Sequence, residues 1–200
     1  MKIDNTSLFN IEYGLYVITT NDGTRDNGCI VNAVCQLTNT PNTVAVTVNK
    51  QNYTCETMLK TGKANILPLT EDTPFAVFER FGFQSGKTTD KMSDLSLRRS
   101  ENGLSYLTCF INSVISLSVK DTVDMGTHVL FICDVVEAFK VSDKKTVTYS
   151  YYFANIKPKP QQKKGYVCKI CGFVYEGDTL PEDYICPICK HPASDFEEIK

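Results

Sequence analysis

The sequence contains Tyr166-Val-Cys-Lys-Ile-Cys-Gly172 and, further along, Cys186-Pro-Ile-Cys189, so that two Cys-x-x-Cys pairs are separated by fourteen residues. Each pair places two thiolates on one side of a tight turn, and two such turns that face each other form a tetrahedral four-sulfur site. Zinc and iron both suit such a site. The spacing therefore predicts a metal centre, with four free cysteines as the alternative. The predicted ligands are Cys168, Cys171, Cys186 and Cys189.

The residues around the cysteines favour iron over a structural zinc site. They comprise aromatic residues, a glycine after the second cysteine and a proline after the third, namely Tyr166, Gly172, Tyr175, Pro187 and Phe196. Over residues 166–199 this pattern resembles the rubredoxin family, and the resemblance implies one iron that cycles between the ferric and ferrous states. Two features depart from that family and leave the reduction potential open. The loop between the pairs is short, and Lys190 stands where glycine usually follows the fourth cysteine.

The stretch Lys157-Pro-Lys-Pro-Gln-Gln-Lys-Lys-Gly165 has the composition of a linker, because its prolines stiffen the chain and its polar side chains leave nothing to bury. We therefore predict a large domain over residues 1–157, a linker over 158–165 and a small metal domain over 166–200. The small domain is acidic, with three basic and seven acidic residues from Tyr166 onward, whereas the preceding part has 18 basic and 16 acidic residues.

The large domain is predicted to be mainly β. Aromatic and β-branched residues predict strands at residues 13–20, 28–37, 43–48, 63–69, 115–119, 127–139 and 146–153. Helices are predicted from Asn52 to Thr61, with Gly62 just past the end, and over 74–81. The polar segment 82–103 is predicted to be a long loop, which is more often functional than decorative. These elements indicate a small antiparallel β-barrel with a few helices.

Composition and motifs argue against several classes of function. The net charge of −2 provides no basic field for nucleic acid. No apolar run reaches the roughly 18 residues of a membrane span, and the N-terminus lacks the apolar stretch of a signal peptide. Neither GxGxxG after a strand, GxxxxGK[ST], HExxH nor GxSxG occurs. Nine cysteines in such a chain indicate metal ligands or free thiols rather than disulfides, and we expect a cytoplasmic protein.

Several motifs of the large domain, taken in order, resemble the flavin reductase-like family of FMN-binding split barrels. The resemblance covers about residues 5–157 and rests on Tyr13-Gly-Leu-Tyr-Val-Ile-Thr19, Asn27-Gly-Cys-Ile-Val-Asn-Ala-Val-Cys-Gln36, Val46-Thr-Val-Asn-Lys-Gln-Asn-Tyr53, Phe81-Gly-Phe-Gln-Ser-Gly-Lys87 with Asp90-Lys91, and Gly126-Thr-His128. It implies an FMN-binding split β-barrel with a few helices, followed here by the rubredoxin-like domain.

The resemblance also implies which residues approach the flavin. A strand along the isoalloxazine ring would contribute Cys29, Ile30, Val31, Asn32, Cys35 and Gln36. The phosphate and ribityl chain would be approached by Asn49, Lys50, Tyr53, Thr54, Ser85, Gly86 and Lys87, and a helix N-terminus and lysines suit an anion physically. His128 would lie near the flavin on its nicotinamide side.

For several of these residues a structural role is the alternative. The apolar candidates could be barrel core, and the two lysines could be ordinary solvated charges. A thiol pair of Cys29 and Cys35 is disfavoured, because the two residues are six positions apart. His128 could be a satisfied core or surface residue.

The two resemblances together imply an electron relay. NADH or NADPH would deliver two electrons to FMN, the iron would receive them singly, and the acidic domain would dock an acceptor redox protein, such as a flavodiiron oxygen or nitric oxide reductase. The chain is then an oxidoreductase whose cofactors carry the chemistry, and no catalytic side chain is named. The alternatives are an electron carrier that does not use nicotinamide and a non-enzymatic FMN- or zinc-binding module. The family also implies a homodimer with the flavin near the subunit interface.

Overall fold

The computed structural model describes residues 3–158 and 165–199, so most of the predicted linker, residues 159–164, lies outside the described residues. The chain divides into two compact units between Ile156 and Lys157. Among the described residues, no helix is long and apolar enough to cross a membrane.

The first unit is built on one seven-stranded antiparallel sheet. A 3-10 helix at Asn5–Asn10 precedes the sheet. The strands of the sheet are β1 (Tyr16–Asn21), β2 (Asp26–Val31), β3 (Val34–Asn39), β4 (Asn42–Asn49), β5 (Lys63–Pro68), β8 (Ser113–Asp124) and β9 (His128–Lys140). A separate two-stranded sheet pairs β6 (Leu97–Arg99) with β7 (Ser105–Leu107). The order in the large sheet is β2-β1-β5-β8-β9-β4-β3. Every pairing is antiparallel, as the sequence predicted.

The sheet curls on itself, because side chains from its two distant halves share one buried core. Ile18 of β1 and Cys29 of β2 belong to the same cluster as Val46 of β4 and Phe131 of β9. A flat sheet would keep these strands several positions apart, so the shared core requires the curvature of a barrel. The opposite face packs on a second cluster that includes Phe81.

The predicted strand over residues 28–37 is wrong, because the chain turns in its middle. β2 ends at Val31 and β3 starts at Val34, and the two strands form opposite edges of the sheet. The Ala33 carbonyl accepts a hydrogen bond from the Thr47 N–H at 2.9 Å, which ties the crossing to β4. Residues that the sequence placed on one strand therefore divide between two edges of the barrel.

The helix predicted from Asn52 to Thr61 is confirmed. α1 (Tyr53–Thr61) starts after Asn52 and ends at Gly62, whose φ of 68° is left-handed and whose N–H bonds the Met58 carbonyl. Thr54, Cys55 and Met58 are buried, so this face of α1 packs against the barrel core. Complete burial of a side chain such as Met58 contributes roughly 1.5–3 kcal/mol.

Two short helices continue as single π-helical turns. α2 (Phe75–Phe78) runs into the turn Glu79–Phe83, and α3 (Tyr149–Tyr151) runs into the turn Tyr152–Ile156. The predicted strand over 146–153 is therefore wrong. The aromatic side chains of this segment pack against other rings, and its backbone forms no regular strand. The ring centroids of Tyr152 and Phe78, for example, lie 4.7 Å apart. The predicted loop 82–103 also contains β6, which pairs with β7.

The second unit is a three-stranded antiparallel sheet with a small core. Its strands are β10 (Gly165–Cys168), β11 (Val174–Tyr175) and β12 (Phe196–Ile199), in the order β11-β10-β12, and a 3-10 turn at Ala193–Asp195 precedes β12. Cys168, Cys186 and Phe196 are buried and are surrounded by Tyr166, Tyr175 and Tyr184. The predicted packing role of the aromatic residues is confirmed, with Tyr184 as an addition.

Candidate functional site

The four predicted metal ligands come together in the second unit. The Sγ atoms of Cys168, Cys171, Cys186 and Cys189 all lie within 4.8 Å of one another. The Sγ–Sγ separation is 3.5 Å for Cys168 and Cys189 and 3.4 Å for Cys171 and Cys186. A tetrahedral metal with metal–sulfur bonds of about 2.3 Å requires separations of about 3.8 Å. The cage therefore fits one ion, and its donor set is that of iron or zinc.

The two cysteine turns have the same backbone construction. The N–H of Gly172 donates to the Cys168 carbonyl at 2.7 Å, and the N–H of Lys190 donates to the Cys186 carbonyl at 3.0 Å. Cys168 and Cys186 are buried, whereas Cys171 and Cys189 are partly exposed. Each turn therefore contributes one ligand to the core and one to the surface.

The barrel carries a cavity of about 380 Å³. It lies where β2 and β3 diverge, next to β4, the start of α1 and the start of β9. Both polar and aliphatic side chains line it, which suits a flat heteroaromatic ring. Its lining consists of Ile30, Val31, Asn32, Ala33, Thr47, Asn49, Asn52, Met125, His128 and Leu130.

Five residues predicted from the sequence line this cavity, namely Ile30, Val31, Asn32, Asn49 and His128. The His128 Nδ1 lies 2.8 Å from the Thr127 hydroxyl, and partial burial lowers the pKa of the imidazole, which favours its neutral form. Cys35 and Gln36 lie on the exposed edge strand β3 instead, and the structure does not place them in the cavity lining.

The predicted lysines have carboxylate partners. The Nζ atom of Lys50 lies 2.6 Å from Asp124 Oδ1, and the Nζ atom of Lys87 lies 2.9 Å from Glu56 Oε2. All four side chains are substantially exposed. Ser85 starts the turn before Lys87, and its carbonyl accepts the Thr89 N–H. A phosphate contact from either lysine would have to compete with its ion pair.

A buried polar chain beside α1 joins two residues that were predicted to approach the flavin, Cys29 and Thr54, to two that were not, Asn27 and Lys91. The Asn27 Nδ2 donates to the Thr54 hydroxyl at 3.0 Å, and Thr54 is the second residue of α1. Lys91 lies near Cys29, and burial lowers the pKa of the Lys91 ammonium group. Lys91 is 3% exposed, and its Nζ makes one long hydrogen bond of 3.4 Å, to the Phe81 carbonyl.

Two oxygens in this region have no hydrogen-bond partner within the described part of the chain. They are Oδ1 of Asn27 and Oγ1 of Thr20, which are buried at paired positions of β2 and β1. Gly86 packs on Asn27 so closely that a Cβ at residue 86 would lie 2.1 Å from that Oδ1. Unsatisfied buried polar groups are rare, and a buried cation without an ion pair is rarer. An anion such as a phosphate would accept hydrogen bonds from the Lys91 ammonium, the Thr20 hydroxyl and the first N–H groups of α1, and from Asn27 once its amide is turned about Cγ.

Lys91 belongs to one of the motifs that resemble the family, Phe81-Gly-Phe-Gln-Ser-Gly-Lys87 followed by Asp90-Lys91. Its burial was not predicted, because a lysine in a polar segment is usually exposed to solvent. The signal for Asn27 was weaker, because its side chain becomes informative only when Thr54 and Gly86 are known to contact it.

Comparison with known proteins agrees with both units. Residues 8–158 match the model of the flavin reductase like domain, and residues 166–197 match the rubredoxin-like domain of rubrerythrin. The high molecular weight rubredoxin of Moorella thermoacetica is 34% identical, over 98% of this chain and 100% of that protein. The ferric-chelate reductase (NAD(P)H) of Archaeoglobus fulgidus is 32% identical, over 78% of this chain and 93% of that protein.

A solved structure supports the fold of the first unit. The FMN-binding protein of Thermus thermophilus superposes with a TM-score of 0.60, at 18% identity, over 65% of this chain and 71% of that one. With the family model covering most of the chain and a relative matched end to end, the chain belongs to the flavin reductase-like family and carries a rubredoxin-like domain at its carboxyl-terminal end.

Proposed function

We propose that this oxidoreductase relays electrons from reduced nicotinamide, through FMN in the barrel, to an iron bound by the four cysteines, and on to an acceptor protein. The observation that carries the proposal is the presence in one chain of two built sites: the four-thiol cage, and a barrel cavity whose lining includes five of the residues expected to approach the flavin. The proposed domains are the barrel at 1–157 and the iron domain at 166–200, joined by 158–165.

Each part of the barrel site has a proposed role toward the flavin. Ile30, Val31 and Asn32 would bind the edge of the isoalloxazine ring in the cavity. Lys91, Asn27 and Thr54 would hold the phosphate, the lysine as cation and the amide as donor once it is turned about its Cγ. Cys35, Gln36, Asn49, Lys50, Tyr53, Ser85, Gly86 and Lys87 remain proposed contacts.

When bound, FMN supplies a centre that accepts a hydride and releases single electrons, and iron supplies a one-electron acceptor. The protein's contribution is to position the ring, neutralise the phosphate and exclude water from the buried part of the site. His128 lines the cavity, and because partial burial lowers the pKa of its imidazole, the neutral ring would place no cation beside a nicotinamide bound there. The name of the Archaeoglobus fulgidus relative, an NAD(P)H-dependent reductase, supports nicotinamide as donor.

The acceptor is proposed to be a redox protein of the flavodiiron type. Support comes from the acidic composition of the small domain, which has seven acidic and three basic residues from Tyr166 onward. A net negative charge on a domain with a partly exposed ligand such as Cys189 would speed its encounter with a basic docking surface. The dependence of acceptor reduction on ionic strength measures this contribution.

We also propose that the barrel is a homodimer. Support comes from the edge strand β3, whose residues from Cys35 to Asn39 are exposed on both faces of the sheet. The side chain of Leu37, an apolar residue of this strand, is 47% exposed. An exposed edge of this kind is normally covered. Light scattering at several protein concentrations tests the stoichiometry. We further propose a reducing, cytoplasmic location, which is supported by the lack of a disulfide among the nine cysteines, all of which lie in the described residues.

The relay is tested with purified, iron- and FMN-loaded protein in the absence of oxygen. NADH or NADPH is added in a stopped-flow instrument, and the flavin and ferric absorption bands are followed. We expect the flavin band to bleach first and the ferric band to disappear afterwards. The Cys186→Ser variant is the control, since flavin bleaching should persist without the ferric band. Persistent ferric absorption after complete flavin reduction would contradict internal transfer.

The same experiment separates the alternative functions. Reduction by ferredoxin, with no response to NADH or NADPH, would favour a carrier that does not use nicotinamide. Metal analysis that returned one zinc and no iron per chain would favour a non-enzymatic FMN- or zinc-binding module.

A further inference from the structure

The tip of the hairpin between β1 and β2 is a turn closed by its own hydrogen bonds. The Oδ1 atom of Asp22 accepts bonds from the Thr24 hydroxyl at 2.6 Å, the Thr24 N–H at 2.7 Å and the Arg25 N–H at 2.9 Å. The Thr24 hydroxyl, followed by the hydroxyl of Tyr53, holds the pKa of the Asp22 carboxyl below its usual range. The turn thus presents a fixed carboxylate and, next to it, the Arg25 guanidinium.

The turn contacts the start of α1 through Tyr53. The Tyr53 hydroxyl donates to Asp22 Oδ2 at 2.6 Å, and the Arg25 guanidinium lies over the Tyr53 ring at 5.3 Å from its centroid. A charge-assisted hydrogen bond and a cation–π contact therefore act on one side chain. Because Tyr53 is the first residue of α1, they fix the first turn of this helix to the hairpin.

The same arginine contacts the segment that follows α2. Its Nη2 donates to the Gly86 carbonyl at 2.6 Å and lies 3.5 Å from the Lys87 carbonyl. Gly86 in turn abuts the side chain of Asn27. Arg25 therefore holds this segment, by its backbone, against the strand that carries Asn27.

Asn27 lies between these two contacts, and its amide oxygen has no hydrogen-bond partner among the described residues. Asn27 is 3% exposed, its Nδ2 bonds Thr54 at the start of α1, and its Oδ1 faces Gly86 without a partner. The Arg25 guanidinium is engaged by Gly86 and Tyr53. It therefore contributes to this region by arranging the backbone rather than by meeting a ligand.

We propose that Arg25, with Asp22, is a positioning residue for the phosphate end of the flavin site, because it fixes α1 and Gly86 on either side of Asn27. This inference rests on the proposed FMN function and adds a residue to it. It predicts that losing the Arg25 guanidinium weakens binding of the phosphate but leaves binding of the ring intact.

The test compares FMN with riboflavin, which has the same ring and no phosphate. Full-length, iron-loaded protein is freed of flavin and titrated with each, and the quenching of flavin fluorescence is measured. For Arg25→Gln we expect the affinity for FMN to fall about tenfold, as expected for a lost charge-assisted hydrogen bond, with less than a twofold change for riboflavin. Arg25→Lys, which keeps the charge but not the planar fork, should recover only part of the loss. Arg98→Gln, at an exposed arginine of β6, is the matched control.

A milder variant keeps the test valid if Arg25→Gln folds poorly. Asp22→Asn removes only the carboxylate charge that accepts the Tyr53 hydroxyl and lies beside Arg25, and a loss of about threefold for FMN alone is expected. Equal losses of affinity for FMN and riboflavin would show that the turn supports the barrel in general. Unchanged affinities would show that the position of the segment containing Gly86 does not depend on Arg25. Either result would overturn the inference. A wild-type protein that bound neither flavin would instead refute the proposed function, and the inference with it.

Discussion

Gly172 and Lys190 occupy equivalent places in the two cysteine turns. Each follows the second cysteine of its pair, each has a positive φ, 78° and 63° respectively, and each donates its N–H to the first cysteine of the pair. Glycine adopts this conformation freely, whereas a Cβ makes it unfavourable by about 1–2 kcal/mol. The side chain of Lys190 has therefore not broken its turn, and the small domain tolerates the local strain.

Replacement of this lysine by glycine should stabilise the small domain. We expect Lys190→Gly to raise its free energy of unfolding by about 1 kcal/mol, because relief of the left-handed strain exceeds the entropy that glycine adds to the unfolded chain. The rate at which a chelator removes iron from the loaded protein measures the change. Lys169→Gly is the control, since Lys169 does not have a positive φ and its substitution should destabilise. A similar effect of both variants would contradict this explanation.

The metal site of the small domain was predictable because it is built from two Cys-x-x-Cys pairs, each of which depends only on local sequence. Each ligand pair lies within one turn, so the spacing of Cys168 and Cys171 already determines their separation in space. The residue that sequence analysis missed there is Tyr184. Its ring packs 4.8 Å from that of Tyr175 and 5.5 Å from that of Phe196, contacts that depend on how the loop between the pairs folds back.

Substitution of Lys91 should separate flavin affinity from stability. We expect Lys91→Met to weaken FMN binding by roughly 10- to 100-fold, since hydrogen bonds to charged groups contribute about 1.5–3 kcal/mol. The same change should raise the free energy of unfolding of the FMN-free protein, because it removes a buried charge without an ion pair. Flavin titration and urea unfolding measure the two effects.

Lys50→Met provides the comparison for Lys91. Its ammonium is partly exposed and paired with Asp124 at 2.6 Å, so we expect less than a threefold change in FMN affinity and a stability change below about 1 kcal/mol. If Lys50→Met weakened FMN binding more than Lys91→Met did, the phosphate would bind nearer to the β8–β9 hairpin, and the assignment of Lys91 would be wrong.

Burial of Lys91 also predicts a pH dependence for the FMN-free protein. Its folded pKa is lowered from the usual value of about 10.4, because burial disfavours the charged form. Between the folded and unfolded pKa values the unfolded chain binds more protons, so the free energy of unfolding rises with pH in that window. Urea unfolding of wild type and Lys91→Met from pH 7 to 10 measures this. The variant should lack the rise, and identical slopes would show that Lys91 does not titrate there.

The rest of the barrel site could not be predicted, because it depends on contacts between distant segments. Asn27 and Gly86 contact each other although they are 59 positions apart in the sequence, and no local pattern marks either as buried. The break between β2 and β3 was missed for a related reason. Val31 and Val34 continue the same β-branched composition, and only the pairing of β3 with β4 shows that the chain has turned. Residues 146–153 have strand composition, but their rings pack better in a helical turn.

The five cysteines of the barrel should divide sharply by reactivity. Cys35 and Cys109 are exposed, whereas Cys29, Cys55 and Cys133 are 2%, 1% and 0% exposed. Burial raises the pKa of the Cys55 thiol to about 11 and that of Cys133 to about 12. Since the thiolate is the nucleophile, only about one Cys55 thiol in a thousand is reactive at pH 8, even before access is considered.

We therefore expect a maleimide to modify two cysteines per chain in native, iron-loaded protein at pH 8, and all nine after unfolding and removal of the metal. Peptide mass spectrometry should identify the two as Cys35 and Cys109. Cys35→Ser should reduce the native count to one without changing the rate at Cys109, because the thiols act independently. Labelling of Cys55 or Cys133 at a rate close to that of Cys109 would mean that the barrel opens around α1 in solution, and the burial of Lys91 beside it would then no longer support an anion site.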